Sequence, residues 1–311
     1  MELRQLRYFV AIVDHGSLSR AARVLHIVQP ALTQQIQQLE EELGALLLHR
    51  SAQGMQATDA GKIFYEHAQA ILKQVNDAKS AVTQSTDKPT GTVALGIPQS
   101  ASGALALPLL TAVRATYPDI VFQLTEELTG NLTEQLRSGR LHFAILFDDD
   151  QLGGFNTKPM AEEEMMYITR TDSQFATKRK TISLEKALQA TLILPSVQHG
   201  VRPRIEAKVR QAGMKIEHVV DITSIAILKS AIMADIGATI LPVSPFVAEI
   251  ERGEMRACAI AGNDLSRTVV LCSSKNIPLT NAAMAVEKLV LEVSKNLCES
   301  GRWIGARSLV R

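Results

Sequence analysis

The residues with the clearest chemistry form a polar helix face rather than a catalytic set. After Pro30 the apolar residues Leu32, Ile36, Leu39 and Leu43 return at helical spacing, while Thr33, Gln34, Gln37 and Gln38 occupy the opposite side and Gln29 stands just ahead. Pro30 suits the first turn, where a missing N–H costs no helical hydrogen bond. A solvent-facing helix usually carries Lys and Glu; amides and hydroxyls in their place can make paired hydrogen bonds to base edges in the major groove of DNA. Glutamine-rich faces also occur on ordinary surface helices, so the neighbouring elements must decide between the two.

Those neighbours favour DNA. Leu3, Leu6, Val10 and Val13, with Phe9 beside them, predict a helix to about Asp14 that Gly16 ends. Ser17 caps a short second helix whose small residues Ala21 and Ala22 let another helix approach closely. A turn over His26 to Gln29 then leads into the glutamine helix, which is the helix, short turn, helix order of a DNA reader. Leu46 to Arg50, the tip Ser51 to Gly54 and the return Met55 to Ala57 predict a two-stranded wing. Arg50 on that wing can reach phosphate, or stay solvated. The expected DNA-binding set is Ser17, Gln29, Pro30, Thr33, Gln34, Gln37 and Arg50. Acids and bases balance over residues 1 to 62, although Glu40, Glu41 and Glu42 sit together late in one helix, where they can face away from phosphate.

Thr58 can cap a long helix from Asp59, in which Phe64, Ala68, Ile71, Val75, Ala78 and Val82 alternate spacings of four and three. Such a narrow heptad seam predicts pairing with a second copy, the alternative being packing on its own domain. A polar, proline-containing hinge spans Ser85 to Gly91. The expected division is a reading head at 1–58, a linker helix at 59–87 and a further domain at 88–311. In that last part strand-like runs such as Val93 to Ile97 and His142 to Phe147 alternate with helix-like ones such as Ala104 to Ala115 and Ala282 to Leu297, an α/β pattern.

Two strand-to-helix turns in this α/β part carry groups suited to a ligand. The first, Pro98 to Gly103, offers Gln99, Ser100 and Ser102; hydroxyls and free N–H groups at a helix start favour an anion such as carboxylate or sulfate, and simple capping would use the same serines. The second, Pro195 to Arg202, offers Ser196, His199 and Arg202. Arg202 can pair with an acidic ligand and His199 can donate a hydrogen bond, though a loop histidine is often merely solvated.

Catalytic anchors are missing: there is no G-x-S-x-G, P-loop, H-E-x-x-H or G-x-G-x-x-G. Asp148, Asp149 and Asp150 have no spaced companions and are read as solvated, so neither a metal nor a cofactor is expected. Cys258, Cys272 and Cys298 lack C-x-x-C spacing and are read as free thiols. The 311 residues are 46% hydrophobic and 21% charged with a net charge of +1, which excludes a disordered chain and calls for more than one core. No run of about 18 apolar residues occurs and the start is not a signal peptide, so a cytoplasmic protein is expected. The same observation weighs against a secreted solute-binding protein. An enzyme acting through His199 and a redox sensor are the other rival readings.

The strings Leu3-Arg4-Gln5-Leu6-Arg7-Tyr8-Phe9, Gly16-Ser17-Leu18-Ser19-Arg20-Ala21-Ala22, Gln29-Pro30-Ala31-Leu32-Thr33-Gln34-Gln35-Ile36 and Thr58-Asp59-Ala60-Gly61 together resemble the LysR-type transcription regulators. Leu136 to Leu141 and Ile240-Leu241-Pro242 continue the likeness more weakly, and Val24-Leu25-His26-Ile27 is similar to the nitrogen assimilation control subgroup. The resemblance implies a winged helix-turn-helix, a linker helix and a two-lobed, periplasmic-binding-protein-like α/β effector domain. It also implies double-stranded promoter DNA and a small effector between the lobes as partners, a homodimer through the linker helix, often a homotetramer, and contact with RNA polymerase. The fold analogy adds Thr129 to the effector set. His142 stands where the family commonly has Asp, and Asp235 where Gly is common.

Overall fold

Cap residues fix where the N-terminal helices begin and end. In the computed structural model, which describes residues 1–51, 54–83, 88–148, 150–196, 201–262 and 265–310, helix α1 (Leu3–His15) opens with the Glu2 N–H donating to Gln5 Oε1 at 2.8 Å and closes at Gly16 with φ 61°. Helix α2 (Leu18–Val24) is capped by Ser17, whose Oγ accepts from the Arg20 N–H. Helix α3 (Gln29–Leu43) carries Pro30 in its first turn and ends at Gly44. Leu6, Phe9, Ile12, Ala21, Ala22, Leu32, Ile36 and Leu39 form their shared core.

The wing follows as strands β1 (Leu48–Ser51) and β2 (Gly54–Ala57), antiparallel with Leu48 opposite Ala57. Glu40 Oε1 accepts from the N–H groups of Leu47 (2.7 Å) and Leu48 (3.0 Å), so one carboxylate anchors the wing to α3. The Met55 N–H donates to the Gly16 carbonyl at 2.9 Å. A Cβ on Gly54 would lie 2.4 Å from that oxygen, so only glycine permits this approach. Thr58 Oγ1 accepts from the Gly61 N–H and starts helix α4 (Asp59–Thr83).

The heptad seam of α4 divides in two. Ala68 is fully buried and Phe64 stacks edge-on against Phe9 with ring centroids 5.2 Å apart, so the first part of the seam belongs to this chain's own core. Ile71, Ala78 and Val82 are exposed and Val75 is half-buried. The expectation of one continuous intermolecular seam is therefore corrected: the α1 aromatics take up its first heptad.

The chain divides into two compact units, Met1–Gln84 and most of Ser85–Arg311, and the second is built of two lobes. It begins with strand β3 (Gly91–Pro98), helix α5 (Gln99–Thr116), β4 (Ile120–Glu127), α6 (Thr129–Arg137) and β5 (Phe143–Phe147), in which β3 pairs in parallel with both β4 and β5. Strand β6 (Phe155–Glu164) joins the same sheet and leads straight into β7 (Met166–Arg170) of the second lobe. There follow β8 (Thr181–Ile182), α7 (Leu184–Ala187), β9 (Leu192–Leu194), α8 (Val201–Gln211), β10 (Val219–Asp221), α9 (Ile225–Met233), β11 (Thr239–Leu241), α10 (Val247–Glu251) and β12 (Met255–Ile260). The chain returns through β13 (Ser266–Ser274), α11 (Asn281–Glu299) and β14 (Ala306–Ser308). The first lobe is thus a six-stranded sheet, β14-β6-β13-β5-β3-β4, and the second a four-stranded sheet, β11-β7-β12-β8, with the parallel pair β9 and β10. Each lobe has its own apolar core, and two crossovers, β6 to β7 and β12 to β13, join them.

The strand-like and helix-like runs read from the sequence all lie on such elements. The hinge residues 85–87 lie outside the described residues. Both departures from the family pattern have a local account. His142 is buried; its N–H donates to the Ala94 carbonyl, and its Nδ1 accepts from the Ala94 N–H at 3.0 Å, as a carboxylate oxygen at this position could. Asp235 closes α9 with φ 58°, the left-handed cap that glycine fills without strain, and its Oδ1 is buried with no hydrogen-bond partner. Its other oxygen is only 3.4 Å from Arg170, which also holds Asp172 at 2.6 Å. Replacing Asp235 by Gly removes the strained φ and the orphaned oxygen at the cost of a weak ion pair. Asp235→Gly is expected to raise unfolding stability by about 1 kcal/mol in a urea titration.

Candidate DNA-reading surface and effector cleft

Alternating burial along α3 sorts its residues by task. Leu32, Ile36 and Leu39 are buried, whereas Gln29, Pro30, Gln34 and Gln37 are exposed and Thr33 is half-buried. The Thr33 hydroxyl donates to the Gln29 carbonyl at 3.1 Å, which commits its proton and leaves its lone pairs to accept. Gln34 and Gln37 make no hydrogen bond to other described residues, so their amides are available. Gln29, Ser17, Arg20 and Arg50 line one groove of about 820 Å³, open to solvent, with no acid among its lining residues. The arginines are exposed there. Glu40 is turned to the wing amides and Glu42 pairs with the N-terminal amine, while both lie more than two turns of α3 beyond Gln29. Balanced formal charge over this segment thus resolves into a basic groove at one end of α3 and acids at the other.

The cleft of the second unit lies between its lobes. It is lined by Gln99 and Ser100 at the start of α5, Thr129 at the start of α6, Val201 at the start of α8 and Ile225 at the start of α9. Four helices therefore present their N-terminal ends, where unbonded N–H groups and the positive end of the helix dipole lie, to one space. Arg267 and Phe147 complete one wall. The Arg267 guanidinium lies 3.7 Å from the centroid of the Phe147 ring and is buried, held by Glu163 through Nε (2.8 Å) and Nη2 (2.7 Å). Burial pulls its pKa down while the Glu163 carboxylate opposes that, and a guanidinium stays charged under either influence. Glu127, the acid on the lining, accepts a hydrogen bond from Asn131 at 3.1 Å. Arg204 on α8 donates to the Asp148 carbonyl after β5, a bond from one lobe to the other.

The structure brings Gln99, Ser100 and Thr129 together in this cleft. Ser102 lies in an adjoining hollow shared with Gln99 and Ile225, its hydroxyl donating to the Gln99 carbonyl. Ser196 is half-buried beside Pro195 and is not on the cleft lining; His199 lies outside the described residues. Arg202 is a correction. Its Nε bonds Glu206 at 2.6 Å and its Nη1 bonds Asp221 at 2.5 Å, so the guanidinium is spent within α8 and against β10 rather than offered to Ser100. The cation beside Ser100 is Arg267, which sequence reasoning missed because neither its burial nor its partner 104 residues away shows as a local motif.

Cys258 and Cys272 are buried and Cys298 is half-buried. Burial pushes the Cys258 thiol up and that of Cys298 up to about 11, leaving both protonated at neutral pH. Among the described residues no three His, Cys, Asp or Glu side chains group to hold a metal ion, and no helix is long and apolar enough to cross a membrane.

Known proteins place both units. Residues 3–62 match the bacterial regulatory helix-turn-helix protein of the lysR family, and residues 86–295 match the LysR substrate binding domain. The chain is 34% identical to the nitrogen assimilation regulatory protein nac of Escherichia coli (strain K12), over 97% of this chain and 99% of the relative. It is 27% identical to the DNA-binding transcriptional dual regulator OxyR of the same organism, over 90% and 91%. Its fold is similar to that of a full-length OxyR variant from Pseudomonas aeruginosa, with a TM-score of 0.69 and 21% identity over 95% of each chain. Full-length CbnR complexed with its target DNA has the same score at 24% identity, over 94% of this chain and all of CbnR. With a helix-turn-helix reading head and an effector-binding domain on one chain, this protein is a DNA-binding transcription regulator and belongs to the LysR family.

Proposed function

We propose that this regulator responds to a small anionic effector, a carboxylate or sulfate, bound in the cleft at Gln99, Ser100 and Thr129. The observation that carries this reading is the convergence of four helix N-termini on a space walled by Arg267. In the same proposal Thr33, Gln34 and Gln37 read base edges, Ser17, Arg20 and Arg50 engage phosphate, and the exposed end of α4 pairs two chains. The dimers assemble further into a tetramer, operate in the cytoplasm and engage RNA polymerase at the promoter. The buried Cys258 and half-buried Cys298, both protonated, give a peroxide-sensing reading no support.

Ser100→Ala in the full chain is expected to abolish the effect of an anionic metabolite on DNA binding while leaving operator affinity without effector unchanged, because the reading head is a separate unit. Fluorescence anisotropy of labelled operator across a panel of carboxylates and sulfate measures both; a retained response in Ser100→Ala removes this site.

On the DNA side, Thr33→Ala or Gln34→Ala should cost about 1 to 3 kcal/mol on operator DNA and less on random DNA. Arg50→Ala should instead weaken both alike and reduce the slope of log affinity against log salt by about one. Equal losses on both DNAs for Gln34→Ala would mean that its amide does not read bases.

Burying a carboxylate in an apolar seam is costly, so Ile71→Glu and Val75→Glu should each dissociate or rearrange the dimer in sedimentation experiments. Native dimers in both variants would place the oligomer contact elsewhere.

A further inference from the structure

Glu163 and Arg267 face each other across β6 and β13, where the chain leaves the first lobe and where it returns. Both are buried, and the proton bookkeeping around them is almost closed. Glu163 Oε2 takes two Arg267 N–H groups; Oε1 takes the Ser244 hydroxyl (2.7 Å) and the Trp303 indole N–H (2.9 Å), and that N–H also lies 3.1 Å from Ser244 Oγ. The remaining side of the guanidinium turns to the cleft, with Nη1 donating to Ser100 Oγ at 3.0 Å and Nη2 reaching the Ser100 carbonyl at 3.4 Å.

Ser100 Oγ is thus an acceptor inside the protein, and among the described residues no acceptor is bonded to its own proton. A hydroxyl has one proton to give, and here the guanidinium occupies one lone pair and leaves that proton for another acceptor. Ser244 belongs to the second lobe, in the turn after β11, and packs so tightly on α5 that a Cβ on Gly103 would lie 2.5 Å from its carbonyl oxygen. Trp303 lies between α11 and β14. One network therefore joins the cleft, both crossover strands, the second lobe and the segment between α11 and β14.

Building on the effector site proposed above, we propose that Arg267 is a positioning residue that presents Ser100 as a hydrogen-bond donor to an acceptor-bearing effector and couples that contact, through Glu163 and Ser244, to Trp303. A ligand oxygen that takes the Ser100 proton polarises the hydroxyl and strengthens its bond from Arg267, which draws on the Glu163 contacts shared with Ser244 and the indole. The coupling favours an acceptor: a ligand oxygen takes the one proton Ser100 has to give, whereas a donor is left the second lone pair, next to the guanidinium charge. It also supplies a reporter, because Trp303 is the one tryptophan of the chain.

The test titrates the full-length protein with sulfate, malonate, succinate and benzoate, following heat by calorimetry and Trp303 emission in parallel. Expected are a saturable emission change with the same midpoint as the heat, loss of both in Ser100→Ala, and recovery of both in Ser100→Thr, which restores the hydroxyl. Arg267→Lys keeps the charge opposite Glu163 but lacks the fork, and its affinity should fall about tenfold or more. Ser244→Ala leaves no unpaired charge and so gives a second, folded probe: it should keep the heat and lose most of the emission change. Heat that Ser100→Ala abolishes, with Trp303 emission unmoved in the unaltered protein, would overturn the coupling and leave the effector site standing. Heat with full affinity in folded Arg267→Lys would overturn the positioning role. No heat from any of the four anions would overturn the anion site and the coupling with it.

Discussion

A carboxylate and a guanidinium withdrawn from water together constrain the whole second unit. Desolvating either alone costs several kcal/mol, and the mutual attraction offsets that only when nearly every donor and acceptor is satisfied. The Glu163–Arg267 pair meets the condition by recruiting groups from five places in the chain: β6, β13, the start of α5, the turn after β11 and the segment after α11. Slipping β6 against β13 by one residue would turn one of the two charges to the other face of the sheet. The register at that end of the sheet is consequently fixed more firmly than apolar packing alone requires. It lies beside a bulge at Val269 and Val270, where the ladder is otherwise free to shift.

The reading head solves a different electrostatic problem. It has no excess of positive charge, so attraction to phosphate must come from arrangement. Glu40 is held by the wing amides and Glu42 by the terminal amine, away from the groove in which Arg20 and Arg50 stand beside Ser17 and Gln29. On the proposed contacts of the α3 amides, weak net attraction places more of the binding energy in contacts that differ between sequences, the distribution expected of a regulator that must reject random DNA.

What was legible in the sequence follows from what is local. The helix-turn-helix could be read because Leu32, Ile36 and Leu39 repeat within one helix and Ser17, Gly16 and Gly44 mark the ends. Ser100 was legible because a strand runs directly into a helix at Gln99. Strand β6 escaped notice: Lys158 and the run Glu162, Glu163, Glu164 hide its pattern, and nothing local says that the middle glutamate is fully buried while its neighbours are not. Arg202 was misread for the converse reason, since Asp221, which takes its charge, arrives on a separate strand. In α4 the spacing was seen correctly, but spacing does not tell which chain supplies the partner, and Phe9 supplies it for Phe64.

Strand β14 is three residues long, yet it covers Ala161, Glu162 and Glu163 of β6 at the border of the six-stranded sheet. An uncovered border is a row of unpaired N–H and C=O groups on which another chain can add, the usual beginning of edge-to-edge aggregation. The segment that carries Trp303 therefore also serves colloidal stability. Fraying after α11 would present an adhesive edge as it drew Trp303 out of the buried network, and self-association on storage would be the first sign that this border had opened.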